Sequence, residues 1–307
     1  MGAGKKSKKK TKLNPSTPQN HRVEINKIIS MFAKAFKGDL SEEEITQIGY
    51  YYSCIAPKEI FKYRSMINDY DIEALANGKM WFAELSTLND PFEAYSDINI
   101  DSFIAAALQS DTSVRKDMQN RSYAEKMKLL NNVRQTVSTD AQGLFYTIRQ
   151  DLSVSCFSER KDSMLMWGHY ADGHRGVCVA YNTLELSRSN KKTVIPVNYS
   201  DIIPKLNGIT EFEITRFFLE VLRTKATDWA YEKEWRCIQD KSACGQNWTN
   251  TGALLEVPRP KAIYLGCRTS NERTEQMKNL CNGQLRIPLY RMEQSKTMYQ
   301  LVPVLIN

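Results

Sequence analysis

Apolar positions along this chain change their period several times, and each change marks an element. From Glu24 to Lys37 the residues Ile25, Ile28, Ile29, Phe32 and Phe36 recur at helical spacing, and Gly38 ends the run. Ser41 and Glu44 have the spacing of a capping box for a second helix reaching about Cys54. The period then drops to two. Ile60 to Arg64 and Met80 to Ala83 read as strands, with a short helix from Asp71 to Ala76 between them and Gly78 as its stop. Residues 96–150 are polar with weak helical periodicity at Phe103 to Leu108, Tyr123 to Val133 and Leu144 to Ile148, which predicts a helical insertion.

Strands return at Leu152 to Ser158, Val177 to Tyr181 and Thr193 to Tyr199. Asp162 or Ser163 caps a helix through Tyr170, and Thr210 with Glu213 caps another reaching Arg223. Glu232 to Gln239, Leu254 to Val257 and Ala262 to Leu265 read as further strands. A helix capped by Thr269 and Glu272 runs to Leu280, and strands near Ile287 to Met292 and Leu301 to Ile306 end the chain. Strands and helices alternate irregularly, and strands follow one another in runs. That order predicts an α+β fold, a mixed and mostly antiparallel sheet core with a helical insertion, preceded by an N-terminal helical hairpin. The expected divisions are a tail and linker over 1–22, the hairpin over 23–55, and the main domain over 56–307 with its insertion at 96–150.

Composition changes this picture in three places. A chain of 307 residues with 42% hydrophobic content can bury a sizeable core. It has no apolar run of membrane-spanning length and no apolar signal core near Met1, so a cytoplasmic, non-membrane protein is expected. The net charge of +7 is local: Lys5, Lys6, Lys8, Lys9, Lys10 and Lys12 supply all but one of the surplus charges. Such a polycation suits either loose attachment to nucleic acid or a solubilising role. Seven cysteines, an odd number with no CxxC pair, fit free thiols in a reducing compartment, and three histidines give a metal site little to work with, so no metal is expected.

The candidate chemistry centres on Tyr231-Glu232-Lys233-Glu234-Trp235-Arg236. As a strand, this block places Glu232, Glu234 and Arg236 on one face, with Lys233 and Trp235 on the other. Two carboxylates so placed repel unless Arg236, a ligand cation or a developing positive charge offsets them. Leu88-Asn89-Asp90-Pro91-Phe92-Glu93 is a turn by chemistry: either a rigid corner with Phe92 in the core, or a pocket rim presenting Asn89, Asp90 or Glu93. Met166-Trp167-Gly168-His169-Tyr170 packs aromatics into one helix, where Gly168 suggests a close approach and His169 reads as a hydrogen-bonded structural residue. Asp172-Gly173-His174-Arg175-Gly176 reads as a turn. Arg64, able to clamp a phosphate, and the pair Ser153 and Ser155 complete the set.

Four blocks in order, Phe61-Lys62-Tyr63-Arg64, Leu88 to Glu93, Met166 to Ala171 and Tyr231 to Arg236, resemble a bacterial family known as domain of unknown function 2971, over roughly Ile60 to Leu265. The order of arginine, serine strand and Glu-x-Glu also resembles, more loosely, ADP-ribosyltransferases of the arginine–serine–glutamate type. That second resemblance implies an enzyme that consumes NAD as a transferase or glycohydrolase, of the kind that acts as a toxin or anti-phage defence effector. It implies that Glu234 steadies the oxocarbenium, Glu232 orients or deprotonates an acceptor, and Ser155 completes the catalytic set. It further implies that Arg64 holds a phosphate and Tyr170 stacks on nicotinamide, with Ser153 and His169 completing the cofactor-binding set; Arg236 is expected at the substrate rim with Asn89, Asp90 and Glu93. Here the serine strand reads Ser-Val-Ser rather than Ser-Thr-Ser, and Arg236 stands beside the acids. Two other classes remain open: a non-enzymatic module that binds nucleic acid through the lysine tail, and a metal-dependent hydrolase or nuclease built on Asp90, Glu93, Glu232 and Glu234.

Overall fold

The computed structural model describes residues 54–66, 68–189, 193–207 and 211–307, with scattered positions at 41–43, 46 and 50. The chain divides into two units, Met1–Ala56 and Pro57–Asn307. The lysine tail and most of the expected hairpin lie outside the described residues, as does the expected cap Thr210.

The second unit is α+β. Its first elements are β1 (Glu59–Arg64), α1 (Asp69–Ala76), β2 (Lys79–Glu84) and the two-residue β3 (Asp97–Ile98). The expected insertion is helical: α2 (Ile100–Ser110), α3 (Thr112–Asn120) and α4 (Tyr123–Asp151). The two last helical stretches expected from periodicity are one continuous helix, started by a capping box between Ser122 and Glu125. Next come β4 (Leu152–Ser158), α5 (Met164–Tyr170), β5 (Val177–Asn182), α6 (Thr183–Arg188), β6 (Thr193–Pro196), β7 (Asn198–Tyr199) and β8 (Lys205–Leu206). They are followed by α7 (Glu211–Arg223), β9 (Thr224–Lys225), a 3-10 turn at Thr227–Glu232, β10 (Glu234–Asp240) and α8 (Lys241–Cys244). The chain closes with β11 (Trp248–Thr249), β12 (Gly252–Glu256), β13 (Ala262–Leu265), α9 (Asn271–Leu280), β14 (Leu289–Gln294) and β15 (Leu301–Leu305). Ser270 rather than Thr269 caps α9; the Thr269 hydroxyl donates to the Arg175 carbonyl instead.

The main sheet branches at β4. One edge of β4 pairs antiparallel with β10 along its full length, from Leu152–Asp240 to Ser158–Glu234, and β6 continues outward from β10. The other edge is shared. β2 takes Ser153 and Val154 and leads to β12 and β11. β1 takes only Ser158, through Phe61, and leads to β5, β13, β14 and β15. Among the described strands, none covers residues 155–157 of β4 on that edge, so a notch opens where β1 and β2 part. Pairing is mostly antiparallel; β13 with β14, β3 with β8 and β7 with β9 are parallel.

Helix α5 lies over β1, β5 and β13. Trp167, fully buried, meets Tyr63 edge-on at 5.3 Å, and Phe61, Cys178, Ala180 and Tyr264 complete the apolar layer. Gly176 lets β5 begin there, since a Cβ would stand 2.2 Å from the Arg64 carbonyl oxygen. Gly168 does not serve a close approach: a Cβ there would meet nothing within 4 Å. Phe92 is not in the core either; its ring is exposed against Tyr95 at 5.7 Å. No helix among the described residues is long and apolar enough to cross a membrane.

Candidate functional site

Glu232 and Glu234 meet by a route other than simple alternation. The strand begins at Glu234; Glu232 ends the 3-10 turn, and Lys233 between them is left-handed at φ 44°, ψ 56°. Such a conformation is uncommon for a side chain with a Cβ. It folds Glu232 back so that both carboxylates reach Lys225, whose Nζ stands 2.6 Å from Glu232 and 3.2 Å from Glu234. The position of Lys225 follows from β9, which pairs in parallel with β7 so that Lys225 lies opposite Tyr199. The Tyr199 hydroxyl in turn accepts the Glu234 backbone N–H at 2.8 Å.

Arg236 is fully buried and holds two acids. Its Nε donates to Glu234 at 3.0 Å, its two terminal nitrogens engage both oxygens of Glu93, and Nη1 also donates to the Leu222 carbonyl at 2.7 Å. Glu93 and Arg236 are therefore buried partners and not rim residues. Asp90 is buried too, where it accepts the Phe92 N–H at 2.9 Å in an Asx turn, so the corner reading holds for it.

The two acids of the block have different environments. Burial pushes the Glu234 carboxyl up, but Arg236 and Lys225 outweigh it and hold Glu234 down at about 2. For Glu232 burial wins over Lys225, and its carboxyl stays above the ordinary value. Burial lowers Lys225, yet the two glutamates overcome that and keep it charged. Glu234 is spent on two cations: Arg236 donates to both of its oxygens and Lys225 to one of them. Glu232 accepts from Lys225 on one oxygen and the Tyr170 hydroxyl on the other, leaving a lone pair on each.

A cavity of about 200 Å³ fills the notch beside β4. Glu232, Glu234, Glu93, Lys225, Lys62 and Cys156 form its polar wall; Phe61, Phe157, Met166 and Tyr170 form its apolar wall. Asn89 and Tyr170 also belong to an outer recess of about 460 Å³ whose other lining is His169, Asp228, Trp229 and Tyr231. Tyr170 joins the two: its ring lines both spaces and its hydroxyl donates to Glu232, while in the outer recess His169 Nδ1 stands 3.0 Å from the Tyr231 hydroxyl. Trp229 lies under the Lys225 ammonium at 4.6 Å.

Three residues expected at the site stand elsewhere. Ser155 and Ser153 pair across from Cys237 and Gln239, while Cys156 and Ser158 pair across from Arg236 and Glu234. Directly opposed residues share a face, so Ser153 and Ser155 point away from the acids. Their hydroxyls go to the Gln239 carbonyl and the Met80 sulfur. Arg64 is bound to Asp71 at 2.5 Å and does not line the cavity. Lys225, Lys62 and Cys156 were missed. A lysine or cysteine within a strand carries no motif, although Lys62 lies two positions from Arg64 and Cys156 one from Ser155. The site acids also do not suit a divalent cation, because Arg236 and Lys225 already occupy them; among the described residues, no group of three or more His, Cys, Asp or Glu is arranged to hold a metal.

Residues 166–237 match a family model described as Protein of unknown function (DUF2971). The match contains the Met166 to Ala171 and Tyr231 to Arg236 blocks and thus the expected resemblance; Phe61 to Arg64 and Leu88 to Glu93 lie outside it. It runs from α5 to the middle of β10, and so includes Tyr170, Lys225, Glu232, Glu234 and Arg236. No curated protein and no solved structure matches the chain.

Proposed function

We propose that the protein cleaves the N-glycosidic bond of a nucleotide with a cationic base, NAD being the substrate, and that Glu232 rather than Glu234 is the working carboxylate. The observation that carries this reading is the position of Glu232 where the aromatic recess meets the polar cavity, with acceptor capacity to spare. A pyridinium ring stacks on Tyr170, Trp229 and Tyr231, whose faces attract a planar cation. The buried wall is balanced in charge, with Glu93, Glu232 and Glu234 against Lys62, Lys225 and Arg236, so the attraction for the cationic ring comes from the aromatic faces and from Glu232 beside them.

During cleavage the electron pair of the glycosidic bond leaves with nicotinamide, which departs neutral, and positive charge moves to the ribose. Glu232, fixed by Tyr170 and Lys225, stabilises that charge without reorganising. Water or an acceptor nucleophile then adds to the sugar and gives up its proton to solvent. Glu234 and Arg236 set the position of Lys225 and therefore of Glu232. Glu232→Gln keeps the shape and removes the charge. It is expected to lower NAD turnover ~100- to 1,000-fold, with NAD still raising the melting temperature of parent and variant. Equal turnover by parent and variant, or a parent that leaves NAD intact, overturns the reading.

A further inference from the structure

We propose that Lys62 anchors an anionic, phosphate-bearing part of the ligand that enters the inner cavity. This deepens the reading above and rests on the same cavity being the ligand site. Lys62 is half-buried on β1 and lines that cavity, yet among the described residues no carboxylate or other acceptor bonds its ammonium group. The ammonium group instead lies over the Phe157 ring, 5.7 Å from Nζ to the centroid. The contrast with its neighbours is sharp. Arg64, two residues along the strand, is bound to Asp71, and Lys225 across the cavity holds two glutamates.

Three ammonium donors with no protein acceptor among the described residues, on a half-buried side chain in a cavity wall, carry a desolvation cost that only part of the surrounding water offsets. Burial accordingly draws the group down to about 8, lowered further by Arg64 and opposed by Cys156, Glu234 and Cys237. An entering phosphate oxygen would satisfy those donors, and a lysine serves phosphate as a compact point charge. The ligand class that suits both ends of the site is zwitterionic: a cationic ring for the aromatic recess and an anion for Lys62.

The test uses the full chain, inorganic pyrophosphate as the probe, and a readout specific to one residue. The rate of acetylation of Lys62 by an amine-reactive reagent is followed by mass spectrometry with and without pyrophosphate. Protection of roughly tenfold, as expected near ten times Kd, is the supporting result, and the lysines of residues 1–12 serve as an internal control for loose anion binding. Lys62→Met, which keeps the stem against Phe157, is expected to weaken pyrophosphate binding at least tenfold by calorimetry. Lys62 acetylated at the same rate with the probe present, or equal binding by a folded Lys62→Met protein, overturns the proposal. The two readings fail separately. Protection of Lys62 in a protein that leaves NAD intact retains the anion anchor and removes the glycosidic reading. NAD cleavage lost in Glu232→Gln, with Lys62 unprotected, does the reverse.

Discussion

Two neighbouring regions on one side of the branched sheet solve opposite problems. Under α5, Trp167, Phe61, Tyr63, Cys178 and Tyr264 form an apolar layer whose burial contributes stability directly. Beside it, Glu93, Lys225, Glu232, Glu234 and Arg236 bury five ionisable groups within direct contact of one another. Taking charges out of water costs several kcal/mol per ion, and mutual attraction only about offsets that when geometry is good. The apolar layer therefore holds the fold, whereas the charged patch is retained at little net gain. What it provides is a fixed carboxylate in the wall of a cavity, and that difference is why the proposed function is placed in the patch and not in the layer.

The largest expected effects break this contrast at its two centres. Trp167→Ala should lower the free energy of unfolding by about 3–5 kcal/mol through a cavity in the layer. Arg236→Met should cost a similar ~3–5 kcal/mol for a different reason, since it strands Glu93 and Glu234 without their cation. Adding Glu93→Gln should recover part of the Arg236→Met loss, while no trimming of Phe61 or Tyr63 recovers the tryptophan loss. Urea unfolding of the single and double variants decides. An Arg236→Met protein within about 0.5 kcal/mol of the parent, the range of ordinary surface changes, would show that the patch is not held together by that guanidinium.

Much of this was legible in the chain, for reasons that differ by region. The core strands β1, β4, β5 and β13 were readable because β-branched and aromatic residues alternate between turn residues. Helix α5 was readable from its serine cap and its stripe. The site was readable only where its residues lie in one block. Glu232, Glu234 and Arg236 are adjacent, and Tyr170 belongs to the aromatic helix. Lys225 was not readable, because a two-residue parallel pairing of β9 with β7 places it. The serine strand misled for a matter of parity. Four hydroxyls stand at 153, 155 and 158 of the strand and at 163 beyond it, and only the cross-strand register with β10 shows that 158, not 153 or 155, shares a face with the acids. The left-handed Lys233 was equally hidden, since nothing in a lysine announces a positive φ.

A smaller effect sharpens the contrast through pH. Glu234 is depressed to about 2 in the folded chain from an ordinary 4.5. A depressed acid contributes stability that is complete above 4.5 and is lost as pH falls toward 2, on the order of 3 kcal/mol for this separation. Glu232 has the opposite sign. Its raised carboxyl costs stability when ionised, so protonating it as pH falls toward 4.5 relieves a penalty before Glu234 begins to fail. The stability of the parent minus that of Glu234→Gln, measured by urea unfolding across this range, should therefore shrink below pH 4.5. The apolar layer contains no carboxylate, so the Trp167→Ala loss should not follow Glu234; any pH dependence it carries comes from His174, which stacks on Trp167 and is held below the ordinary imidazole value by burial. A difference for Glu234→Gln that is flat down to pH 2.5 would remove Glu234 as a paired anion.

The smallest effect tests whether the aromatic recess and the charged patch act as one unit. Tyr170 is the link: its ring lines both spaces and its hydroxyl donates to Glu232. Tyr170→Phe keeps the ring, so stacking in the recess should persist, and the stability loss should be ~1 kcal/mol, the usual net worth of one hydrogen bond. The informative change lies in Glu232. The tyrosine hydroxyl favours the ionised carboxylate, so its removal leaves burial less opposed and raises the Glu232 carboxyl further. In an NAD-cleavage profile the acid limb, where Glu232 must be ionised, should move to higher pH, with KM nearly unchanged and kcat reduced along that limb. A tyrosine that only packs would leave that limb where the parent has it. An unmoved limb together with the expected ~1 kcal/mol loss would separate recess from patch and leave Glu232 positioned by Lys225 alone.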